Sequence, residues 1–77
     1  MTRQETPHQL IKTFEFHDFS QAFAFMTRVA LLAESIQHHP DWMNSFNKVT
    51  IKLSTHEANN TVTDKDRKFA SEIDKLL

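Results

Sequence analysis

The chain has 77 residues, no glycine and no cysteine, and its 9 basic and 10 acidic side chains give a formal net charge of −1. This length supports one domain, and the composition excludes disulfides, thiolate metal sites, thiol catalysis and glycine-rich phosphate loops. The balanced charge argues against direct nucleic-acid binding, which needs a basic patch to displace counterions from phosphates, and no apolar run reaches membrane-spanning length.

A domain this small leaves much apolar surface in water, so association with further copies is expected. The lack of cysteine suits a reducing cytosol. Residues 1–8 are polar and read as a flexible segment, not as a signal or transit peptide, and residues 9–77 read as a single domain. Without glycine, turns fall to Asn, Asp and Pro.

The first predicted element is a strand over residues 9–16, with Leu10, Phe14 and Phe16 on one face and Ile11 and Thr13 among its β-favouring residues. A helix follows. Asp18 is its predicted N-cap, with Gln21 completing a capping box. Ala22, Phe25, Met26, Val29, Ala33 and Ile36 recur at helical spacing as one apolar stripe. Phe23, Ala30 and Leu31 widen it, and a broad core face is the simplest account; contact with a second subunit is the sharper one. Pro40 is the predicted stop, which puts His39 outside regular helix.

Next comes a hairpin, with strands over 42–46 and 48–55 and Asn47 at the turn. In the second strand Val49, Ile51 and Leu53 alternate with Lys48, Thr50 and Lys52, so one face is buried and one wet. Residues 57–62 read as a polar loop containing Asn59 and Asn60. Thr63 is the predicted N-cap of a last helix whose apolar side is Phe69, Ala70, Ile73, Leu76 and Leu77. The order strand, helix, strand, strand, helix implies an α+β two-layer sandwich, an antiparallel sheet with two helices packed on one face.

Three of the five histidines, His38, His39 and His56, flank the first helix and the last strand, with Glu34 and Asp66 nearby in sequence. Such histidines can be surface or capping residues, favoured beyond a helix C-terminus by its dipole. They can be drawn as zinc ligands with Asp66, but adjacent histidines tend to point apart and the helical pair at four-residue spacing is absent. They can also serve as a metal-free acid–base pair, since histidine titrates near neutrality and elimination of water needs one proton given and one taken.

Glu34, three residues, His38-His39-Pro40, five residues, Phe46, nine residues, His56 and then Asp66 resembles the signature of the pterin-4a-carbinolamine dehydratases. Residues 24–31, the run His38-His39-Pro40-Asp41-Trp42, and the segments 47–49 and 53–57 are similar to the same family, so the resemblance covers about residues 14–77. It implies a hydro-lyase that dehydrates 4a-hydroxytetrahydropterin to quinonoid dihydropterin in tetrahydrobiopterin recycling. No metal and no organic cofactor is implied. The implied partners are the pterin substrate, further copies in a homodimer or homotetramer, and a functional link to an aromatic amino acid hydroxylase. The implied location is cytoplasmic, and nuclear in some members.

By resemblance, His38, His39 and His56 form the catalytic trio, with His38 and His56 as the acid–base pair and His39 mainly holding the pterin. Gln37, Ser54, Thr55 and Glu57 flank them in segments that contact substrate, and Asp66 is the closing aspartate of the signature. Glu57 is the candidate for the amino-oxo pyrimidine edge, where a carboxylate can accept two hydrogen bonds. Trp42 and Phe46 are candidates to wall a pocket, with core packing as the simpler role.

The sequence departs from the family pattern at three places. Gln37 stands where the animal enzymes usually carry an acid. The loop between His56 and Asp66 is one residue longer than usual, which leaves Asp64 as an alternative to Asp66. A helix and an edge strand that usually precede the strand over 9–16 have no counterpart, so a three-stranded sheet with a bare edge is expected, against four strands in the family. The alternative function is a protein-interaction module, because some animal members act as dimerisation cofactors of a homeodomain transcription factor through a helix surface.

Overall fold

Alternation along β4 (Lys48–Leu53) decides which side of the sheet is covered. Val49, Ile51 and Leu53 are buried, while Lys48 stays exposed and Thr50 and Lys52 are half-buried on the opposite side. In the computed structural model, which describes residues 4–77, this strand sits inside a four-stranded antiparallel sheet. The other elements are β1 (Gln4–Glu5), β2 (Leu10–Glu15), α1 (Phe19–Ile36), β3 (Asp41–Ser45), a 3₁₀ turn (His56–Ala58) and α2 (Asp64–Asp74). The strand order is β1-β2-β4-β3. Both helices pack against the side carrying Leu10, Phe14, Val49, Ile51 and Leu53. The expected two-layer α+β architecture is therefore the one observed.

The sheet has four strands, not three. Thr6 turns the chain back: its backbone N–H reaches the Gln9 carbonyl at 2.9 Å, and its hydroxyl accepts the His8 and Gln9 N–H groups. This sets Gln4 opposite Ile11 and Glu5 opposite Leu10. Two polar residues carry no alternation for a sequence pattern to register. The reading of residues 1–8 as flexible extends over residues 1–3, which lie outside the described residues; residues 4–8 hold β1 and its turn. Arg67 on α2 bonds Glu5 at 2.9 Å, and the Val62 N–H bonds the Pro7 carbonyl at 3.1 Å, so this hairpin is tied down at two points. The edge of β2 expected to be bare is thus partly covered, by a strand too short to template further pairing.

Helix α1 begins as its sequence implies, with the Asp18 side chain accepting the Gln21 N–H at 2.8 Å. The Gln21 side chain reaches back one residue further than a capping box requires, to the His17 N–H at 3.1 Å. Ala22, Phe25, Val29 and Ala33 are buried, and the Phe25 ring lies 4.8 Å from Phe14 and 5.0 Å from Phe16. The core face is narrower than the sequence implies. Phe23 and Leu31 are 55% and 69% exposed, and Ala30 and Ile36 are exposed as well. The domain has one sheet and two helices, and α1 can turn only one stripe toward them.

Pro40 does not end α1. The helix stops at Gln37, which adopts the left-handed region (φ 53°, ψ 42°). The His38 N–H then bonds the Ala33 carbonyl and the Gln37 N–H bonds that of Glu34, a paired closure usually built on glycine. Asn59 and Asn60 also have positive φ, in line with the expected use of Asn in turns. Phe46 does too, at φ 52°, in the two-residue connection between β3 and β4.

Phe46 is 66% exposed at the end of β4 opposite to His56, so it neither joins the core nor walls a pocket with the histidines. Trp42 is half-buried against the core. A bulky residue held at positive φ costs on the order of 1–3 kcal/mol, which glycine avoids at some entropic expense. Phe46→Gly is therefore expected to raise the unfolding free energy by about 1 kcal/mol, measured by urea denaturation; an unchanged or lowered midpoint would show that the turn is unstrained.

Candidate functional site

The left-handed turn at Gln37 sends the two histidines that follow it into different surroundings. His38 enters the space beneath α2 and is 6% exposed. Its ring stands edge-on to Phe69, with centroids 5.8 Å apart. His39 stays outside, where its Nε2 pairs with a Glu34 carboxylate oxygen at 2.9 Å. That bond, then one from Gln37, holds the Glu34 carboxyl below the usual range.

Asp66 is fully buried in the first turn of α2 and meets His38 Nε2 at 2.6 Å. Its other oxygen accepts the Thr55 hydroxyl at 2.7 Å and the Thr63 backbone N–H at 2.9 Å. Thr55 has one hydroxyl proton and gives it to Asp66, so Thr63 is the donor in the 2.7 Å contact between the two threonine hydroxyls. Burial by itself would raise the Asp66 pKa. The bonds from His38, the Thr63 N–H and Thr55 outweigh it and hold the carboxyl below the ordinary aspartate value. Asp64, the alternative in that loop, is exposed and pairs with Arg67 at 3.2 Å.

An ionised Asp66 is only an acceptor, so His38 presents Nε2–H to it. The neutral ring then keeps its lone pair on Nδ1. That atom makes no hydrogen bond among the described residues and is not sealed off as an unsatisfied buried atom. An open hollow of about 140 Å³ lies beside the ring. Ile36 and Phe69 give it apolar walls, and Lys65, Lys68 and Glu72 line it as well.

His56 is exposed at the start of the 3₁₀ turn, and Glu57 follows it. The Glu57 carboxyl is lowered by its own backbone N–H first and by Lys65 next, with weaker pulls from His38 and His56. Glu57, Lys65, His38 and His56 therefore share one electrostatic neighbourhood. The structure does not bring His39 or His56 into the hollow beside His38. Ser54 is half-buried, and Gln37 is exposed with its amide folded onto the Glu34 carbonyl at 2.8 Å. Thr55, 5% exposed, and Asp66 stand behind His38 and do not face solvent. Among the described residues, no group of three His, Asp or Glu side chains is arranged to hold a metal ion.

Lys65, Lys68, Phe69 and Glu72 were not legible as site residues. Their spacing of three, four and seven along α2 puts them on one helix side, but nothing in the sequence says that this side faces His38.

Fold and site together define a two-layer α+β domain with a buried carboxylate–histidine pair whose histidine lines an open hollow. The family model described as Pterin 4 alpha carbinolamine dehydratase matches residues 3–76, and the chain belongs to that family. A Synechococcus sp. (strain WH7803) protein named "Putative pterin-4-alpha-carbinolamine dehydratase" is 53% identical over 68 residues, covering 88% of this chain and 72% of the relative. A Paraburkholderia xenovorans (strain LB400) protein with the same name is 52% identical over 65 residues, covering 84% and 67%. Among solved structures, a transcriptional coactivator/pterin dehydratase from Brucella melitensis superposes with a TM-score of 0.88 at 39% identity, over 96% of this chain and 80% of that one. A pterin dehydratase-like protein identified as a RuBisCO assembly factor in the alpha-carboxysome gives 0.79 at 29% identity, over 97% and 86%.

Replacing Asp66 tests the pair. Asn would keep its oxygen on the Thr55 hydroxyl and the Thr63 N–H and turn its NH2 toward His38 Nε2, exchanging a charge-assisted bond for a neutral one at a cost of about 1 kcal/mol. Because the folded carboxyl is lowered, its contribution is complete above the unfolded aspartate pKa and is lost as pH falls toward the lowered folded value. Urea unfolding of Asp66→Asn should therefore show reduced stability at pH 7 and a weaker loss than wild type on going to pH 3. Parallel pH profiles would rule out the buried, ionised carboxylate.

Proposed function

We propose that the chain dehydrates 4a-hydroxytetrahydropterin to quinonoid dihydropterin by metal-free histidine acid–base catalysis. It would act in tetrahydrobiopterin recycling, coupled to an aromatic amino acid hydroxylase, in the cytoplasm and in some settings the nucleus. The observation that carries the proposal is the 2.6 Å bond from buried Asp66 to His38 in a chain of this family. It fixes the tautomer whose free nitrogen can exchange a proton with a ligand.

In the reaction, an acid protonates the 4a-hydroxyl and the C–O bond breaks, releasing water. The neighbouring ring nitrogen supplies the electron pair for the new C=N bond and loses its proton to a base. One proton is given, one is taken and one water leaves. His38 and His56 divide these two roles, and His39, steadied by Glu34, holds the pterin. The ionised Glu57 accepts hydrogen bonds from the pyrimidine edge, and Gln37 and Ser54 are further substrate-contacting residues of this reading.

A turnover assay with synthetic carbinolamine tests these roles. His38→Ala and His56→Ala should each lower kcat by about 10²–10⁴-fold, and Glu57→Ala should raise KM with a smaller effect on kcat. An inactive wild type would favour the interaction-module reading, which the coactivator and assembly-factor descriptions of the two solved relatives also support.

The domain is also proposed to assemble as a homodimer or homotetramer. Phe19, Phe23 and Leu31 lie exposed along α1, with Phe19 and Phe23 in ring contact at 5.7 Å. Arg28 is the single charged residue between Phe19 and Ala33. Sedimentation should give a multiple of the single-chain mass, and Leu31→Glu should shift it toward the monomer. A monomeric wild type at micromolar concentration would defeat the assembly.

A further inference from the structure

Thr55 lies next to His56 in sequence, yet its side chain turns the other way. Its hydroxyl is buried, donates to Asp66 at 2.7 Å and accepts from Thr63. Asp66 is therefore held on one oxygen by Thr55 at 2.7 Å and the Thr63 N–H at 2.9 Å, with the Thr63 hydroxyl farther off at 3.4 Å, while its other oxygen meets His38. Rotation of the carboxylate would break bonds on both sides.

We propose that Thr55 is a positioning residue, which through Asp66 fixes the orientation and tautomer of His38. The relay runs Thr63 hydroxyl, Thr55 hydroxyl, Asp66 carboxylate, His38 imidazole, and it joins the end of β4, the first turn of α2 and the end of α1. Its kinetic consequence rests on the dehydratase reading; its structural consequence does not. The role differs from substrate contact, because a group 5% exposed behind His38 cannot reach a ligand in front of it.

Other charged groups face His38, and none can replace this control. Lys65, Lys68 and Glu72 line the hollow beside it, and Glu57 lies within its electrostatic reach. They act across open space, without a hydrogen bond to the ring among the described residues. Only Asp66 dictates which nitrogen carries the proton.

The test compares Thr55→Val, which keeps the shape and removes the hydroxyl, with Thr55→Ser, which keeps the hydroxyl and removes a methyl. Ring ¹⁵N chemical shifts of His38 at neutral or higher pH report the tautomer without turnover. Wild type and Thr55→Ser should show the Nε2–H form alone, and Thr55→Val should show a mixture with the Nδ1–H form. In the turnover assay, Thr55→Val should lose about tenfold in kcat, part of the 10²–10⁴ that acid–base catalysis supplies, with KM little changed and Thr55→Ser restoring it. If Thr55→Val fails to fold, Thr55→Cys, of similar volume and with a weak donor, should give the same mixture. A folded Val or Cys variant with the wild-type tautomer overturns the proposal, as does a Ser variant no better than Val. An inactive wild type whose His38 tautomer still responds to Thr55→Val upholds the relay and refutes the dehydratase reading.

Discussion

The bond between His38 and Asp66 is the constraint on which the site's order depends. Its two partners are 28 residues apart and belong to different helices. A buried carboxylate is costly unless its oxygens are filled, and here both are, by a ring nitrogen, a backbone amide and a hydroxyl. One carboxylate thus caps α2, docks the end of α1 and anchors the exit of β4. Apart from His38 Nδ1, the side-chain polar groups at this junction bond one another above the apolar core.

Family membership and the buried pair bear on the same functional reading, since His38 and Asp66 both belong to the family signature. The fold is nevertheless hospitable to other work, as the descriptions of its solved relatives show. The chemical site and the apolar outer side of α1 involve different residues, apart from their nearness at Ile36. In this chain a substitution on the outer side of α1 leaves the residues around His38 untouched.

Much of this was legible in the sequence, for reasons that differ by element. Strict alternation from Lys48 to Leu53 has one sheet solution, and Asp18 with Gln21 marks a helix start. The hairpin was legible in outline, although its strained residue is Phe46 and not the Asn47 beside it. β1 was hidden because two polar residues pair through their backbones alone. The exposed side of α1 was hidden because apolar content does not say how much partner surface a small fold can offer. At the site, the signature pointed to His38 and Asp66. Spacing could not show that Thr55 faces inward while neighbouring His56 faces out, since the strand ends between Leu53 and the 3₁₀ turn and its alternation no longer applies.

Four residues in the left-handed region carry side chains, in a chain without glycine. Glycine would enter those turns without steric penalty, but it would also give the unfolded chain many more conformations to abandon. The strain stored in the native turns is thus partly repaid by a denatured ensemble with less freedom to lose. Two of the turns border the segments that carry His38 and His56, so the backbone next to each histidine has little slack. A backbone kept stiff at those borders can hold a proton-transfer geometry in a domain with only one thin core behind it.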